Sequence, residues 1–316
     1  MPCYNDVMII SVIIPVFNAQ KYIDRCIDSV IRSLEKSKQK YEVIAVDNGS
    51  ADKSLDILHK KAQKNKKIIV KVCENPGAAA ARNFGAKLAR GKYIWFIDAD
   101  DEITENSASL LIEKAEETDA EFVMMGATRI YSDGHTDYLS AVKANASNTK
   151  SRFIRYGAGP WQFLIRRDWW QKNNFLFQEG LIHEDMELMS VLILYTNKFS
   201  SVDKPLYLYY QNDGSILHKK EFDPHIFDIF PVLESLYNRF EKIGATEKYH
   251  DELEWFFIWN LLIDAAKDFG KFPEGKPGFK RSREMMKSYF PNWRKNRFLK
   301  EKSLKLRIKI RLNYLA

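Results

Sequence analysis

The first third of the chain alternates short apolar runs with stretches whose apolar residues recur at helical spacing. The apolar runs predict five strands, at residues 9–16, 41–47, 68–73, 93–98 and 122–130. Between the first two runs, apolar residues recur every three or four positions from Tyr22 to Leu34, as on one face of a helix. The alternation predicts an α/β fold with a mostly parallel central sheet, whose strands are joined by helical crossovers.

The later part of the chain has a different pattern. Residues 132–158 are rich in small and polar residues, which predicts a long loop. A helix is expected over residues 184–195, a strand over 206–210, and two or three amphipathic helices over 224–292. A C-terminal helical region therefore follows the α/β part. The predicted division has three segments, at residues 1–220, 221–293 and 294–316.

Composition limits the class of protein. With 45% hydrophobic residues among 316, the chain can bury one large core or two smaller ones, which excludes a disordered protein. The longest apolar run, residues 7–17, is shorter than the roughly 20 residues that cross a bilayer. Three cysteines, Cys3, Cys26 and Cys73, show no paired spacing, so we expect a reducing, cytoplasmic location.

The net charge of +7 is concentrated at the C-terminal end. Residues 294–316 hold nine Lys or Arg residues against one acid, a net of +8, so the preceding residues carry −1. This distribution argues against a nucleic acid as partner. Apolar and basic residues alternate over 304–312, which suits a strand with one basic face or a basic helix on anionic lipid. The segment predicts either peripheral contact with the inner face of the cell membrane or a homo-oligomer contact.

Three carboxylates follow the apolar run at residues 93–97. They are Asp98, Asp100 and Asp101, and the C-terminal end of a parallel strand is where ligands bind in open α/β sheets. Their oxygens suit a hard cation, Mn²⁺ or Mg²⁺, that carries a diphosphate. The alternative is that Asp100 or Asp101 caps a helix that begins near Thr104.

Three further motifs precede these carboxylates at residues 11–18 (SVIIPVFN), 46–52 (VDNGSAD) and 75–91 (NPG, ARNFG and ARG). With the DADD sequence, they resemble the nucleotide-sugar-binding half of inverting family 2 glycosyltransferases with the GT-A fold. The resemblance covers residues 9–102 as the donor half and continues more weakly over an acceptor half at 103–220. It implies metal-dependent, inverting transfer of a sugar from a nucleotide diphosphate donor, UDP-linked, to a saccharide acceptor on a lipid, polysaccharide or glycoprotein.

The resemblance also assigns donor-side residues. It places Pro15 and Phe17 beside the base, Asp47 on the polar edge of the base, Arg82 near base or diphosphate, Asp98 at ribose or metal, and Asp100 as the principal metal ligand. A carboxylate can accept a hydrogen bond from the uracil N–H. The alternative for Arg82 is an exposed helical arginine. His218 completes the metal shell or is a surface residue. The chain departs from the family at Asn48, often Asp, and at Tyr210, commonly Arg.

On the acceptor side, inverting transfer requires a general base that takes the proton of the acceptor hydroxyl. Asp185 is the predicted base, because residues 181–188 resemble the Glu-Asp motif of the family, and Glu184 and Glu187 are its competitors. The alternative is that these acids only favour the first turn of a helix. Trp161 is a candidate platform for the acceptor sugar, or else a core tryptophan.

Two other functions compete with the transferase. A catalytically silent carbohydrate-binding or scaffold protein could share the fold, but the joint presence of Asp47, Asp98, Asp100 and Asp185 argues against it. A sugar nucleotidyltransferase could share the carboxylates at the strand end. That hypothesis lacks a Gly-rich triphosphate-binding loop after the first strand.

Overall fold

The computed structural model describes residues 8–142, 148–211 and 221–315. Contacts between Cα atoms divide the chain into two compact units. The sheet unit comprises Met1–Ala146, Gly159–Gly180 and Thr196–Asp213. The helical unit comprises Ser147–Ala158, Leu181–Tyr195 and Gly214–Ala316.

Within those described ranges, nine strands and thirteen α-helices follow one another. The strands are β1 (Ile10–Val16), β2 (Tyr41–Asp47), β3 (Ile68–Val72), β4 (Tyr93–Phe96), β5 (Glu102–Ile103), β6 (Phe122–Ile130), β7 (Thr136–Leu139), β8 (Phe163–Arg166) and β9 (Phe199–Tyr210). The helices are α1 (Ile23–Ser37), α2 (Ser54–Lys64), α3 (Ala78–Leu88), α4 (Ser107–Thr118), α5 (Thr149–Tyr156), α6 (Arg167–Lys172), α7 (Glu184–Val191), α8 (Ile229–Ile243), α9 (His250–Trp259), α10 (Ala265–Lys271), α11 (Pro277–Tyr289), α12 (Arg297–Lys300) and α13 (Leu304–Leu315).

The sheet unit is built on one mixed sheet with the order β3-β2-β1-β4-β8-β6-β9-β5, and β7 pairs with β6. The first four strands in this order, β3, β2, β1 and β4, are parallel to one another, whereas β8 runs antiparallel to both β4 and β6. The predicted α/β fold with a mostly parallel sheet is confirmed. Because the chain winds outward from β1 to β3 and then returns to the other side of β1, β1 and β4 flank a topological switch point, where ligands bind in such sheets.

The residues of β1, β2 and β4 are almost all buried, which explains their continuous apolar runs. Helix α1 buries the apolar face that its spacing predicted, including Ile23, Ile27, Val30 and Leu34. Because β1, β2 and β4 run parallel, their carboxyl ends lie at the same edge of the sheet. Phe17, Asp47 and Asp98 all follow or close strands at this edge.

The prediction of one long loop at residues 132–158 is wrong, because this segment contains strand β7 and helix α5. Strand β7 pairs antiparallel with β6 through a turn at Gly134, whose φ of 85° is in the left-handed region. The residues of β7 are mostly exposed, so they lack the apolar alternation by which a strand is recognised.

The division into units differs from the predicted boundary at residue 220. Helices α5 and α7 precede that boundary, yet both cluster with the C-terminal helices, α5 against α9 and α7 against α8. Polar contacts accompany this packing, since Ser151 Oγ on α5 donates to Glu252 Oε1 on α9 at 2.7 Å. Such long-range packing is absent from local sequence patterns.

The predicted C-terminal helical region is confirmed, with α8 to α11 in place of the expected two or three helices. A π-helical turn, Asn260–Asp264, joins α9 to α10. Of the two alternatives for residues 304–312, the helix is correct, because they lie in α13. Among the helices of the described residues, none combines the length and the apolar character needed to cross a bilayer.

Candidate active site

The loops after β1 and β2 are fastened to each other at the edge of the sheet. Asn18 Oδ1 accepts a hydrogen bond from the Ala51 N–H at 2.8 Å, and Ser50 Oγ accepts one from the Asn18 N–H at 3.0 Å. Beside them the Phe17 side chain is 63% exposed and Pro15 is partly exposed. An exposed aromatic ring held on a fixed loop can pack against a planar base.

Asp47 closes β2 and is almost completely buried. Its Oδ2 accepts hydrogen bonds from the N–H groups of Gly49 and Ser50, both at 3.2 Å, in a turn that requires the φ of +82° at Gly49. Its Oδ1 is buried and has no hydrogen-bond partner among the residues that the structure describes. A buried acceptor that lacks a donor is unfavourable by about 1–3 kcal/mol. A ligand N–H that reached Asp47 Oδ1 would satisfy this acceptor.

Asn48 occupies the position where the family often has an aspartate. Its side-chain amide donates to the carbonyl oxygens of Cys73 at 3.2 Å and Asn75 at 2.6 Å, and its Oδ1 accepts from the Gly77 N–H at 2.6 Å. A carboxylate could make the last contact but neither of the first two, because it has no donor. Asn48 thus holds the loop that leads into α3.

Arg82 on α3 is 93% buried, as its exposed fraction is 7%, so the alternative of an exposed helical arginine is wrong. Its Nη2 donates to Asp98 Oδ1 at 2.9 Å, and its guanidinium lies 5.6 Å from the centroid of the Phe177 ring. The ion pair fixes Arg82 and Asp98 together just after β4. It brings a cation and a carboxylate to the edge where Asp47 also lies.

The three carboxylates of the DADD sequence differ in burial. Asp98 and Asp100 are partly exposed, whereas Asp101 is fully buried. Asp101 Oδ2 accepts from the Tyr207 hydroxyl and its Oδ1 from the Tyr210 N–H, both at 2.8 Å. Burial is the main cause that raises the pKa of Asp101 well above its usual value, and repulsion from Asp100 and Asp98 raises this pKa further. Asp101 therefore ties β9 to the carboxylate loop, and it does not cap α4.

Two residues that support this loop were not singled out from the sequence. The Tyr207 hydroxyl accepts a hydrogen bond from the Asp98 N–H at 3.1 Å. Arg25 Nη2, on α1, donates to the Asp100 carbonyl oxygen at 2.7 Å, and its guanidinium lies 3.9 Å from the centroid of the Tyr210 ring. Tyr210 stands where the family commonly has an arginine, and α1 supplies a cation beside it. That departure is the one sequence clue that could have pointed to Arg25.

Asp98 and Asp100 fit a divalent metal ion. Both carboxylates follow a buried parallel strand, both are partly exposed, and their main chain is fixed by Tyr207 and Arg25. Oxygen donors of this kind are the ligands that Mg²⁺ and Mn²⁺ prefer. His218, the other predicted ligand, lies outside the described residues.

In the helical unit, the first turn of α7 holds the three candidate bases. Glu187 is buried and forms a two-point ion pair with Arg239 on α8, with Arg239 Nη2 at 3.2 Å from Glu187 Oε2. This pairing identifies Glu187 as a structural residue. Glu184 is buried and Asp185 is partly exposed. Burial lowers the pKa of His183, which precedes them with a left-handed φ of 64°.

Trp161 lies in the core of the sheet unit. Its indole is 7% exposed and stacks on Tyr207 with ring centroids 4.3 Å apart, and its carbonyl oxygen accepts from Trp95 Nε1 at 2.8 Å. A Cβ at Gly159 would lie 2.4 Å from Trp161 Nε1, so glycine is required there for the indole to pack. This placement favours the core interpretation over the sugar-platform interpretation.

Comparisons with known proteins fit this arrangement. Residues 11–177 match the family model described as Glycosyl transferase family 2. The uncharacterized glycosyltransferase EpsJ of Bacillus subtilis strain 168 is 30% identical over 256 residues, which cover 76% of this chain and 73% of EpsJ. The chain belongs to glycosyl transferase family 2. The predicted family and the glycosyltransferase class are confirmed, and the sugar nucleotidyltransferase hypothesis is set aside.

Solved structures of glycosyltransferases share the fold. Residues 1–349 of TarS from S. aureus, in complex with UDP-GlcNAc, align with a TM-score of 0.77 at 22% identity, over 97% of this chain and 89% of that one. The mannosyltransferase PcManGT from Pyrobaculum calidifontis, in complex with GDP-Man and Mn²⁺, aligns with a TM-score of 0.50 at 15% identity, over 99% and 91%. The predicted GT-A fold with a C-terminal helical region is confirmed.

Proposed function

We propose that this glycosyltransferase moves a sugar from a UDP-linked donor to a saccharide acceptor with inversion, using Mn²⁺ or Mg²⁺. The observation that carries the proposal is the buried Asp47 Oδ1, for which the described parts of the chain provide no hydrogen-bond donor. It lies at the same sheet edge as the Arg82–Asp98 ion pair and Asp100. This edge therefore offers one oxygen that can accept a hydrogen bond from the base. It also offers two carboxylates, those of Asp98 and Asp100, for a metal ion that carries the diphosphate.

The base contact favours uridine. The uracil ring has one N–H between two carbonyl groups, so a single carboxylate oxygen such as Asp47 Oδ1 can accept its hydrogen bond. The exposed face of Phe17 offers a surface on which the ring can pack. The UDP-GlcNAc bound to TarS, a protein of the same fold, supports this choice.

Asp98 and Asp100 would hold the metal ion. When bound there, Mn²⁺ or Mg²⁺ would neutralise the charge that develops on the departing diphosphate. Arg82 keeps Asp98 in place through the 2.9 Å contact, and Arg25 fixes the main chain at Asp100. The Mn²⁺ in the PcManGT complex supports a metal in this fold.

The acceptor reacts through one of its hydroxyl groups. Asp185 takes the hydroxyl proton, the oxygen forms a bond to the anomeric carbon, and the bond from that carbon to the phosphate oxygen breaks with inversion. Asp185 is preferred to Glu184 because its side chain is partly exposed, whereas Glu184 is buried. The acceptor saccharide is carried on a lipid, a polysaccharide or a glycoprotein.

A reducing compartment suits the thiols that the structure describes. Cys26 and Cys73 are both free and buried, and burial raises the pKa of the Cys26 thiol well above its usual value. A buried, protonated thiol behaves as a small apolar side chain. We therefore place the enzyme in the cytoplasm, the location that its cysteine spacing predicted.

Asp47→Asn tests the base contact. The substitution puts an amide NH₂ or an amide oxygen at the Oδ1 position and removes the negative charge, so we expect UDP affinity to fall by about tenfold or more, as for loss of a charge-assisted hydrogen bond. Titration calorimetry with UDP and Mn²⁺ measures the dissociation constant. Asp56→Asn, on the exposed face of α2, removes the same charge and should leave it unchanged. Unaltered UDP binding by Asp47→Asn would refute the assignment.

The donor itself is tested by hydrolysis without acceptor. The enzyme should release the nucleoside diphosphate slowly from UDP-sugars when Mn²⁺ is present, and not after chelation with EDTA. A coupled assay for UDP and GDP separates the two donor classes. Preference for GDP-sugars would contradict the uridine assignment, and hydrolysis that persists in EDTA would contradict the metal.

A further inference from the structure

The surface of α13 presents an exposed apolar stripe. Its residues are Leu304, Ile308, Leu312 and Leu315, with exposed fractions between 47% and 70%. They are spaced by four, four and three positions, so they lie on one face of the helix. Exposed apolar residues in such a row mark a surface that contacts something other than water.

The opposite face of α13 is packed against the helical unit. Ile310 is fully buried, and Asn313 Nδ2 donates to the Leu262 carbonyl oxygen at 2.8 Å. The Tyr314 ring lies 5.1 Å from the Trp293 ring, centroid to centroid. The helix is therefore held in place by one face, and the stripe is a fixed part of the surface.

The alternation of apolar and basic residues produces these two faces. Successive helical residues are rotated by about 100°, so alternate residues differ by about 200°. The apolar residues consequently divide between the faces, with Leu304, Ile308 and Leu312 outward and Leu306 and Ile310 toward the protein. A helix that only packed one face against the protein would need apolar residues at Leu306 and Ile310 but not at the outward positions.

Cations flank the stripe on both sides. On a helical projection, Lys305 and Lys309 border one side of it and Arg307 and Arg311 the other, and α13 contains no acid. We infer that the stripe and these four cations bind an anionic membrane surface, with the helix lying in the plane of the interface. The apolar side chains enter the boundary of the acyl region, and the Lys and Arg side chains extend to the lipid phosphates.

Charge decides between this occupant and a second copy of the chain. Two stripes related by a two-fold axis would place four cations of one helix beside the same four of the other, and like charges repel. An anionic lipid surface has the opposite charge, so each Lys or Arg near it is attracted instead of repelled. The inference does not depend on the donor site, since α13 is described within the helical unit alone.

The test is sedimentation of the full-length protein with vesicles. One set is phosphatidylcholine alone, and the other contains about 30 mol% phosphatidylglycerol. We expect binding to the anionic set only, reduced at about 0.5 M NaCl. The triple variant Leu304→Ser, Ile308→Ser, Leu312→Ser should bind at least about tenfold more weakly, because it loses buried apolar area.

Two further proteins complete the experiment. The matched control carries Val72→Ser, Leu88→Ser and Leu176→Ser at exposed positions of the sheet unit, and should bind as the unaltered protein does. The charge variant Lys305→Glu, Lys309→Glu, Arg311→Glu should lose its preference for anionic vesicles. Failure of the unaltered protein to bind would overturn the inference, as would a stripe variant that binds equally well. A lipid-free dimer that the stripe variant converts to monomer, seen by analytical ultracentrifugation, would identify a second copy as the occupant.

Discussion

Asp100→Ala should abolish sugar transfer and leave the protein folded. Asp100 is partly exposed, so its loss opens no buried cavity, but it removes a carboxylate that we propose as the principal metal ligand. Without a metal ion the departing diphosphate is not neutralised, and we expect turnover to fall by roughly 10³-fold or more. Mn²⁺-dependent binding of UDP, measured by calorimetry, should be lost together with activity.

Asp101→Ala is the informative companion, because the neighbouring carboxylate has a different role. Asp101 is fully buried and accepts hydrogen bonds from the Tyr207 hydroxyl and the Tyr210 N–H. Its removal leaves the buried Tyr207 hydroxyl and the partly buried Tyr210 N–H without this acceptor, so the free energy of unfolding should fall by about 1–3 kcal/mol. Denaturant unfolding should therefore separate the two variants, with Asp101→Ala destabilised and Asp100→Ala close to the unaltered protein.

Normal binding of UDP and Mn²⁺ by Asp100→Ala would contradict the assignment of Asp100. The metal would then be held by other residues. Asp56→Ala, which removes an exposed carboxylate of α2, controls for the change in net charge and should retain full turnover.

The donor half of the fold could be predicted because its signals are local. Strands β1, β2 and β4 are buried on both sides, and this produces continuous apolar runs that end at Phe17, Asp47 and Asp98. The carboxyl ends of parallel strands meet at one sheet edge, and Asp47 and the Arg82–Asp98 pair lie at the ends of such strands.

The supporting residues could not be found in this way. Arg25 contacts a carbonyl oxygen 75 positions later, and Tyr207 contacts Asp98 across 109 positions. A helical arginine and a strand tyrosine occur on many surfaces, so neither has a distinctive local pattern. Trp161 shows the converse problem, because a tryptophan after Gly-Pro suits both a sugar platform and a core. Only the three-dimensional structure distinguishes these two interpretations, because it shows the indole stacked on Tyr207.

Of the three acids in α7, the structure separates one from the others. Glu187 is buried and pairs with Arg239 on α8, a contact that favours a structural role for it. The motif from residue 181 to residue 188 could not make this distinction, since it contains no information about α8. The remaining choice lies between two adjacent side chains and must be decided by substitution.

Asp185→Asn should lower transfer by roughly 10²-fold or more while UDP binding is retained. The amide keeps the size and polarity of the side chain but cannot take the proton of the acceptor hydroxyl, and loss of a general base has an effect of this size. Glu187→Gln is the matched control. It weakens the ion pair with Arg239, so we expect lower resistance to denaturant with transfer by the folded protein largely intact.

Transfer rates with a saccharide acceptor, UDP affinity and unfolding should be measured on Asp185→Asn, Glu184→Gln and Glu187→Gln. A general base affects kcat in the transfer assay and leaves the dissociation constant of UDP unchanged, whereas a structural acid affects all three measurements through the folded fraction. If Asp185→Asn transferred at the native rate and Glu184→Gln were inactive yet bound UDP, Glu184 would be the base. The anomeric configuration of the product, read by NMR, tests the other half of the mechanism, because direct attack by the activated hydroxyl must invert it.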